Sequence, residues 1–221
     1  VALVWESVLL PPYAALHRLK GYAAVEQRLQ YPRYLKALSQ LHAVLQSTPL
    51  AGHYVLTGGL LLGWRREGRA LPWDCWDIDL EVGEDDSDRL FASLPALRTA
   101  GWRHRRSWAH NGGGLAEVRC TRGAIGLDFF ITRRVGEELA SWVFAKRDGA
   151  WLQAEQRVPV GSWKEITFLG LTWQAPDPVE PALRAMYGNW EVADPAWDYM
   201  ESSSIVSREP WNRPAPPAPW G

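Results

Sequence analysis

The stretch Leu60–Val82 reads LLLGWRREGRALPWDCWDIDLEV, and its second half decides the fold. From Trp76 onward acids and apolar residues alternate strictly. Asp77, Asp79 and Glu81 fall on one side, Ile78, Leu80 and Val82 on the other. A period of two is the signature of a β-strand with one apolar face, here spanning 76–82. It places the side chains of Asp77 and Asp79 on the same face, about 6–7 Å apart along the strand. Carboxylates this close repel one another unless a cation lies between them. A solvated strand face is the plainer alternative, but it leaves the basic, glycine-rich run just upstream without a purpose.

Upstream, Tyr54–Leu56 reads as a short strand that ends at Gly58-Gly59, and Leu60–Arg66 as a helix with those glycines at its amino end. Backbone N–H groups at such a terminus can approach a phosphate, with Arg65 and Arg66 as candidates to neutralise its charge. Gly-Gly also serves any tight turn, and at least one of the arginines fits a solvated helix end equally well. Asp74 either joins the acids as a ligand or caps the turn before the strand. Downstream, Leu115–Cys120 and Ala124–Ile131 read as two strands around Thr121-Arg122-Gly123. Asp128 is a single acid in the apolar run Gly126–Ile131. A third carboxylate completes a cradle for hard cations, and magnesium, or manganese, prefers such oxygen ligands. A satisfied core acid is the alternative reading of Asp128.

Elsewhere the pattern gives helices over Tyr34–Gln46, Asp88–Ala100 and Pro181–Tyr187, the last stopped by Gly188, with mixed helical signals over 13–29 and a short strand over Phe168–Trp173. The chain divides into amino-terminal helices (1–50), a catalytic domain (51–206) and a tail rich in Pro and Trp (207–221) that is extended and loosely packed or wraps the surface. The expected fold is α/β (α+β), a small mixed sheet with helices packed on it. A net charge of −1 argues against bulk binding to nucleic acid. No apolar run nears the 18 residues of a membrane span. Cys75 and Cys120 make neither a disulfide framework nor a zinc site, and whether they pair stays open. Fourteen Trp residues supply flat faces suited to bases or sugars, although core packing accounts for most of them.

The combination of motifs resembles the LicD/fukutin family of the nucleotidyltransferase-fold superfamily. Its carriers are Gly59-Leu60-Leu61-Leu62-Gly63, Arg66, Pro72-Trp73-Asp74, Asp77-Ile78-Asp79 and the later strand acid Asp128. Further on come Phe168-Leu169-Gly170, Ala175-Pro176-Asp177 and Tyr187-Gly188-Asn189-Trp190. The resemblance covers residues 54–195, and Leu62–Arg66 is closest to the fukutin branch. Two departures stand out: Leu60 replaces the usual Ser or Thr, and one extra residue separates Asp74 from Asp77.

The resemblance implies a sheet of nucleotidyltransferase type. It also implies a metal-dependent transferase that moves a phospho-alcohol group, such as phosphocholine or ribitol phosphate, from a CDP-alcohol donor to a glycan or small-molecule hydroxyl. Asp77, Asp79 and Asp128 would be catalytic and metal-binding, with Asp74 a possible ligand. Gly58, Gly59, Arg65 and Arg66 would face the donor, and Trp64, Trp73 and Trp76 are near enough in sequence to stack on it. Transfer of an NMP group, or nucleotide or glycan binding without catalysis, are the alternatives. Bacterial relatives imply a cytoplasmic setting, and eukaryotic ones the Golgi lumen or secretory pathway behind a removed amino-terminal anchor.

Overall fold

In the computed structural model the described residues are 22–194 and 196–213. The helical signals expected over 13–21 and the last eight residues of the tail lie outside them.

The fold is built outward from the acidic strand. β1 (Val55–Leu56) runs antiparallel to β2 (Asp79–Gly83), and β2 runs parallel to β5 (Ile125–Val135). β4 (Leu115–Arg122) and β3 (Arg103–Ala109) follow antiparallel on the other side, giving the order β1-β2-β5-β4-β3. This is the expected mixed sheet. Regular pairing of β2 begins at Asp79 rather than Trp76, yet residues 76–78 already bond to β5. Gly126 N–H donates to Trp76 O at 2.7 Å, and Asp128 N–H donates to Ile78 O at 2.9 Å.

One face of the sheet is dry. Leu80 and Val82, Leu127, Phe129 and Ile131, and Val118 and Cys120 are all buried there. They share one apolar cluster with Leu38, Leu41 and Leu45 of α1 (Tyr22–Gln46) and Leu90, Leu94 and Leu97 of α3 (Ser87–Thr99). Spacings of three and four put each helical set on a single stripe. Removing a buried aromatic such as Phe129 typically costs about 3–5 kcal/mol. α1 contains the expected helix from Tyr34 and continues back through Pro32. Between β1 and β2 lies α2 (Gly58–Glu67), closed by Gly68 in the left-handed conformation.

Beyond its pairing with β4, β5 continues into a second, antiparallel sheet with β6 (Glu138–Arg147), β7 (Ala150–Pro159) and β10 (Ile205–Pro210). The boundary drawn at 206/207 therefore falls inside β10, whose Arg208–Pro210 pair with β7. A separate hairpin joins β8 (Ser162–Phe168) to β9 (Leu171–Asp177). The short strand expected over Phe168–Trp173 is instead the tip of that hairpin. Leu169 (φ 54°) and Gly170 (φ 72°) both take positive φ, as a tight two-residue turn demands. After β9, α4 (Val179–Tyr187) ends at Gly188 as the sequence indicates.

Candidate active site: an acidic face on the mixed sheet

Directly opposed residues in a ladder share a face. Asp79 opposes Asp128, Asp128 opposes Arg119, and Arg119 opposes Arg106. One step along, Phe130 opposes Glu117, which opposes Trp108. The face away from the dry core is thus a row of charged groups running from β2 to β3.

Asp77, Asp79 and Asp128 converge here: one carboxylate oxygen from each lies within 4.8 Å of the others. Asp128 is buried, and the other two are half-buried. Burial drives the carboxyl of Asp79 well above the ordinary range, and Asp77, Asp128 and Asp74 push it further. Burial also raises Asp77, which Arg119 partly offsets. Asp128 is lifted to about 6 by burial, against the pull of Arg119, whose Nη1 donates to Asp128 Oδ2 at 2.7 Å. Asp128 Oδ1 is buried and accepts no hydrogen bond from an N–H or hydroxyl donor. The carboxyl of Glu117, itself buried and raised to about 8 by burial and then by Asp128, lies within hydrogen-bonding reach of Asp128. Two arrangements satisfy this cluster: a proton retained on Glu117, or a cation among the aspartates. An orphaned carboxylate oxygen inside a set of three all-oxygen donors fits a hard divalent ion.

The glycines serve this convergence. A Cβ on Gly58, whose φ is +55°, would meet Asp79 Oδ2 at 2.5 Å. A Cβ on Gly59 would lie 1.4 Å from Asp74 Oδ2. Both glycines open the amino end of α2 to carboxylates, where the first N–H groups have no partner within the helix. Asp74 thereby joins the edge of the acidic group, raised to about 6 by burial and then by Asp77. Glu81 accepts from Thr57 Oγ1 at 2.8 Å and is pushed up to about 7 by burial. The phenols of Tyr34 and Tyr187 are held protonated, first by burial and then by Asp74 and Asp79.

The two arginines named from sequence do not touch the acids. Arg65 pairs with Glu180 at 2.7 Å on the surface. Arg66 donates to Trp190 O at 3.2 Å and stands 6.0 Å from the ring of Trp73, which is exposed. Trp64 and Trp76 are partly buried against the core. Arg119 and Glu117, the side chains that do reach Asp128, escape a reading by sequence. Their one signal is the polar alternation of Glu117 and Arg119 with the apolar Ala116, Val118 and Cys120. Both cysteines are buried and no disulfide links them.

A family model described as LicD/FKTN/FKRP, nucleotidyltransferase domain, matches residues 52–177. The chain belongs to this family. The matched LicD/FKTN/FKRP segment runs from just before β1 to the end of β9 and contains Asp74, Asp77, Asp79, Glu81, Glu117 and Asp128. The mixed α/β architecture is accordingly of nucleotidyltransferase type, and the clustered aspartates are a candidate metal site within it. Comparison with curated protein sequences finds no significant match. Among the described residues no helix is long and apolar enough to cross a membrane.

Proposed function

We propose that this chain is a divalent-metal-dependent transferase that moves a phospho-alcohol group from a CDP-activated donor to a glycan hydroxyl. The observation that carries this is the convergence of Asp77, Asp79 and Asp128 within 4.8 Å in a LicD/FKTN/FKRP domain. These three residues would hold Mg2+, or Mn2+, with Asp74 at the edge. The ion supplies neutralisation of the donor diphosphate and polarisation of its oxygens.

The chain's own groups then have distinct tasks. The amino end of α2, opened by Gly58 and Gly59, offers unspent N–H groups to a phosphate oxygen. Arg66 and the exposed Trp73, 6.0 Å from it, would serve the nucleotide, the ring as a stacking surface and the guanidinium as a counter-charge. Arg119 holds Asp128 in place. The acceptor hydroxyl oxygen forms a bond to the donor's β-phosphorus while the bond from that phosphorus to CMP breaks. With Asp128 given to the ion, the hydroxyl proton would pass to the neighbouring carboxylate of Glu117, and CMP leaves as the phosphate monoester.

Nucleotidyl transfer is the second reading, since the same acids would serve it. A donor labelled separately at its two phosphorus atoms distinguishes them. With CDP-choline or CDP-ribitol, the β-label on the glycan and the α-label in released CMP support phospho-alcohol transfer. An α-label on the product establishes nucleotidyl transfer instead and removes the first reading.

A further inference from the structure

Four aromatic rings gather where β3, β6, β7 and the residue after β10 meet. Trp108 lies 4.8 Å from Phe144, nearly parallel at 20°. It is 4.8 Å from Trp151 and 4.7 Å from Trp211. These rings belong to neither of the two buried apolar clusters among the described residues. Trp108 forms the floor and is buried, whereas Phe144, Trp151 and Trp211 are only half-buried. The guanidinium of Arg106 stands 4.9 Å over the Trp108 ring. Three strands and the residue after β10 each contribute one ring. A cluster serving only as core would bury its rings on all sides.

Position makes this cluster informative. Trp108 directly opposes Glu117 across the β3–β4 ladder, and Glu117 reaches Asp128. The rings therefore begin one ladder step, about 5 Å, beyond the acids. They lie on the β3 side, whereas the opened end of α2 approaches from the β1–β2 side, with the aspartates between them. Displacement at phosphorus requires the entering and leaving oxygens to be roughly in line. A donor whose diphosphate faces α2 leaves only the β3 side for the entering hydroxyl.

We infer that Trp108, Phe144, Trp151 and Trp211 form the acceptor subsite and take an uncharged pyranose ring. A pyranose carries C–H groups on one face and hydroxyls around its rim. The half-buried rings of Trp151 and Trp211 suit the first, and the Arg106 guanidinium over Trp108 suits the second. A nucleobase would stack on the same rings, but it would then have to reach them from the leaving side of the aspartates. This inference rests on the proposed transfer to a glycan, and its test does not need turnover.

Saturation-transfer NMR on the full chain with MgCl2 reads binding of methyl pyranosides of glucose, galactose and N-acetylgalactosamine directly, with cytidine in a separate arm. At least one pyranoside is expected to give signal from its C–H face. Trp151→Ala should abolish that signal and Trp151→Phe should restore most of it, while cooperative melting confirms the fold. If Trp151→Ala does not fold, Trp211→Ala, near the end of the described chain, replaces it. Absence of signal from every pyranoside overturns the inference. So does signal that survives the alanine variant, or signal from cytidine alone at these rings. Pyranoside binding that persists when no CDP-alcohol is turned over would leave the sugar site standing and remove the transferase reading instead.

Discussion

Arg119 Nη1 lies 2.7 Å from Asp128 Oδ2, the one guanidinium among the described residues in hydrogen-bonding contact with the clustered aspartates. The contact follows from register, because the two residues face each other across the β4–β5 ladder. It compensates part of a charge that burial would otherwise make prohibitive. Arg119 is itself 36% exposed, so the pair is only partly desolvated. Arg119→Ala is expected to lower metal-free stability by about 1–2 kcal/mol, less than the 3–5 typical when a fully buried pair is broken. Urea melts with and without MgCl2 check this, and the deficit should shrink with the metal present, because the cation takes over the compensation.

The acids themselves should behave in the opposite sense. In the absence of metal, Asp79 is surrounded by like charges, so Asp79→Asn removes repulsion without changing volume. Metal-free melting temperature is expected to stay level or rise. The increase in melting temperature produced by MgCl2 in the parent should disappear. Asp77→Asn and Asp128→Asn should also lose that increase, and all three should lose transfer activity by about a hundredfold or more. A purely structural role for Asp79 would instead show as a lower metal-free melting temperature with the magnesium shift intact.

Metal-free stability should also fall as pH rises. Asp74 and Asp128 are raised to about 6 and Glu117 to about 8, all by burial first, whereas their unfolded values lie near 4. Between those limits the folded state binds more protons than the unfolded one, so the slope of stability against pH is negative. The contribution is fully present below about pH 4 and is lost as pH passes through 6 to 8. MgCl2 binds the ionised carboxylates, so its stabilisation should grow over the same interval. Melting temperatures at pH 5.5, 7 and 8.5, with MgCl2 or EDTA, test both trends. A magnesium shift larger at pH 5.5 than at 8.5 would contradict them.

What the sequence revealed is what local periodicity encodes. Asp77 and Asp79 are legible because a period of two fixes them to one face whatever the partner strand is. Asp128 is legible because a lone acid in an apolar strand requires a reason. Arg119 and Glu117 are not, because their role exists only in the register that sets them beside Asp128 and Phe130. Arg65 and Arg66 illustrate the converse. They are adjacent in sequence to the acids, but the rotation of α2 and the position of α4 turn Arg65 toward Glu180. β3 is masked by its own composition, since Arg103–Arg106 carries no apolar alternation. β10 is masked because its outer residues are exposed and polar, so its pairing with β7 is a tertiary fact.

The two glycines offer a test in which geometry separates stability from function. At Gly59 the backbone is ordinary, so the only obstacle to a side chain is the Asp74 carboxylate, 1.4 Å from the added Cβ. That carboxylate sits at the end of a side chain that can rotate away. Gly59→Ala should therefore change stability by less than about 1 kcal/mol while displacing Asp74 from the acidic group. At Gly58 the positive φ adds strain to a 2.5 Å contact with Asp79 Oδ2, and Asp79 cannot withdraw without leaving the aspartate cluster. Gly58→Ala is expected to cost about 1–2 kcal/mol in folding. It should also weaken Mg2+ binding about tenfold or more, measured by calorimetric titration. The comparison also settles the standing of Asp74. If Gly59→Ala and Asp74→Asn both leave magnesium affinity within about twofold of the parent, Asp74 is a neighbour of the metal site and not one of its ligands. If both weaken it comparably, Asp74 is the fourth carboxylate.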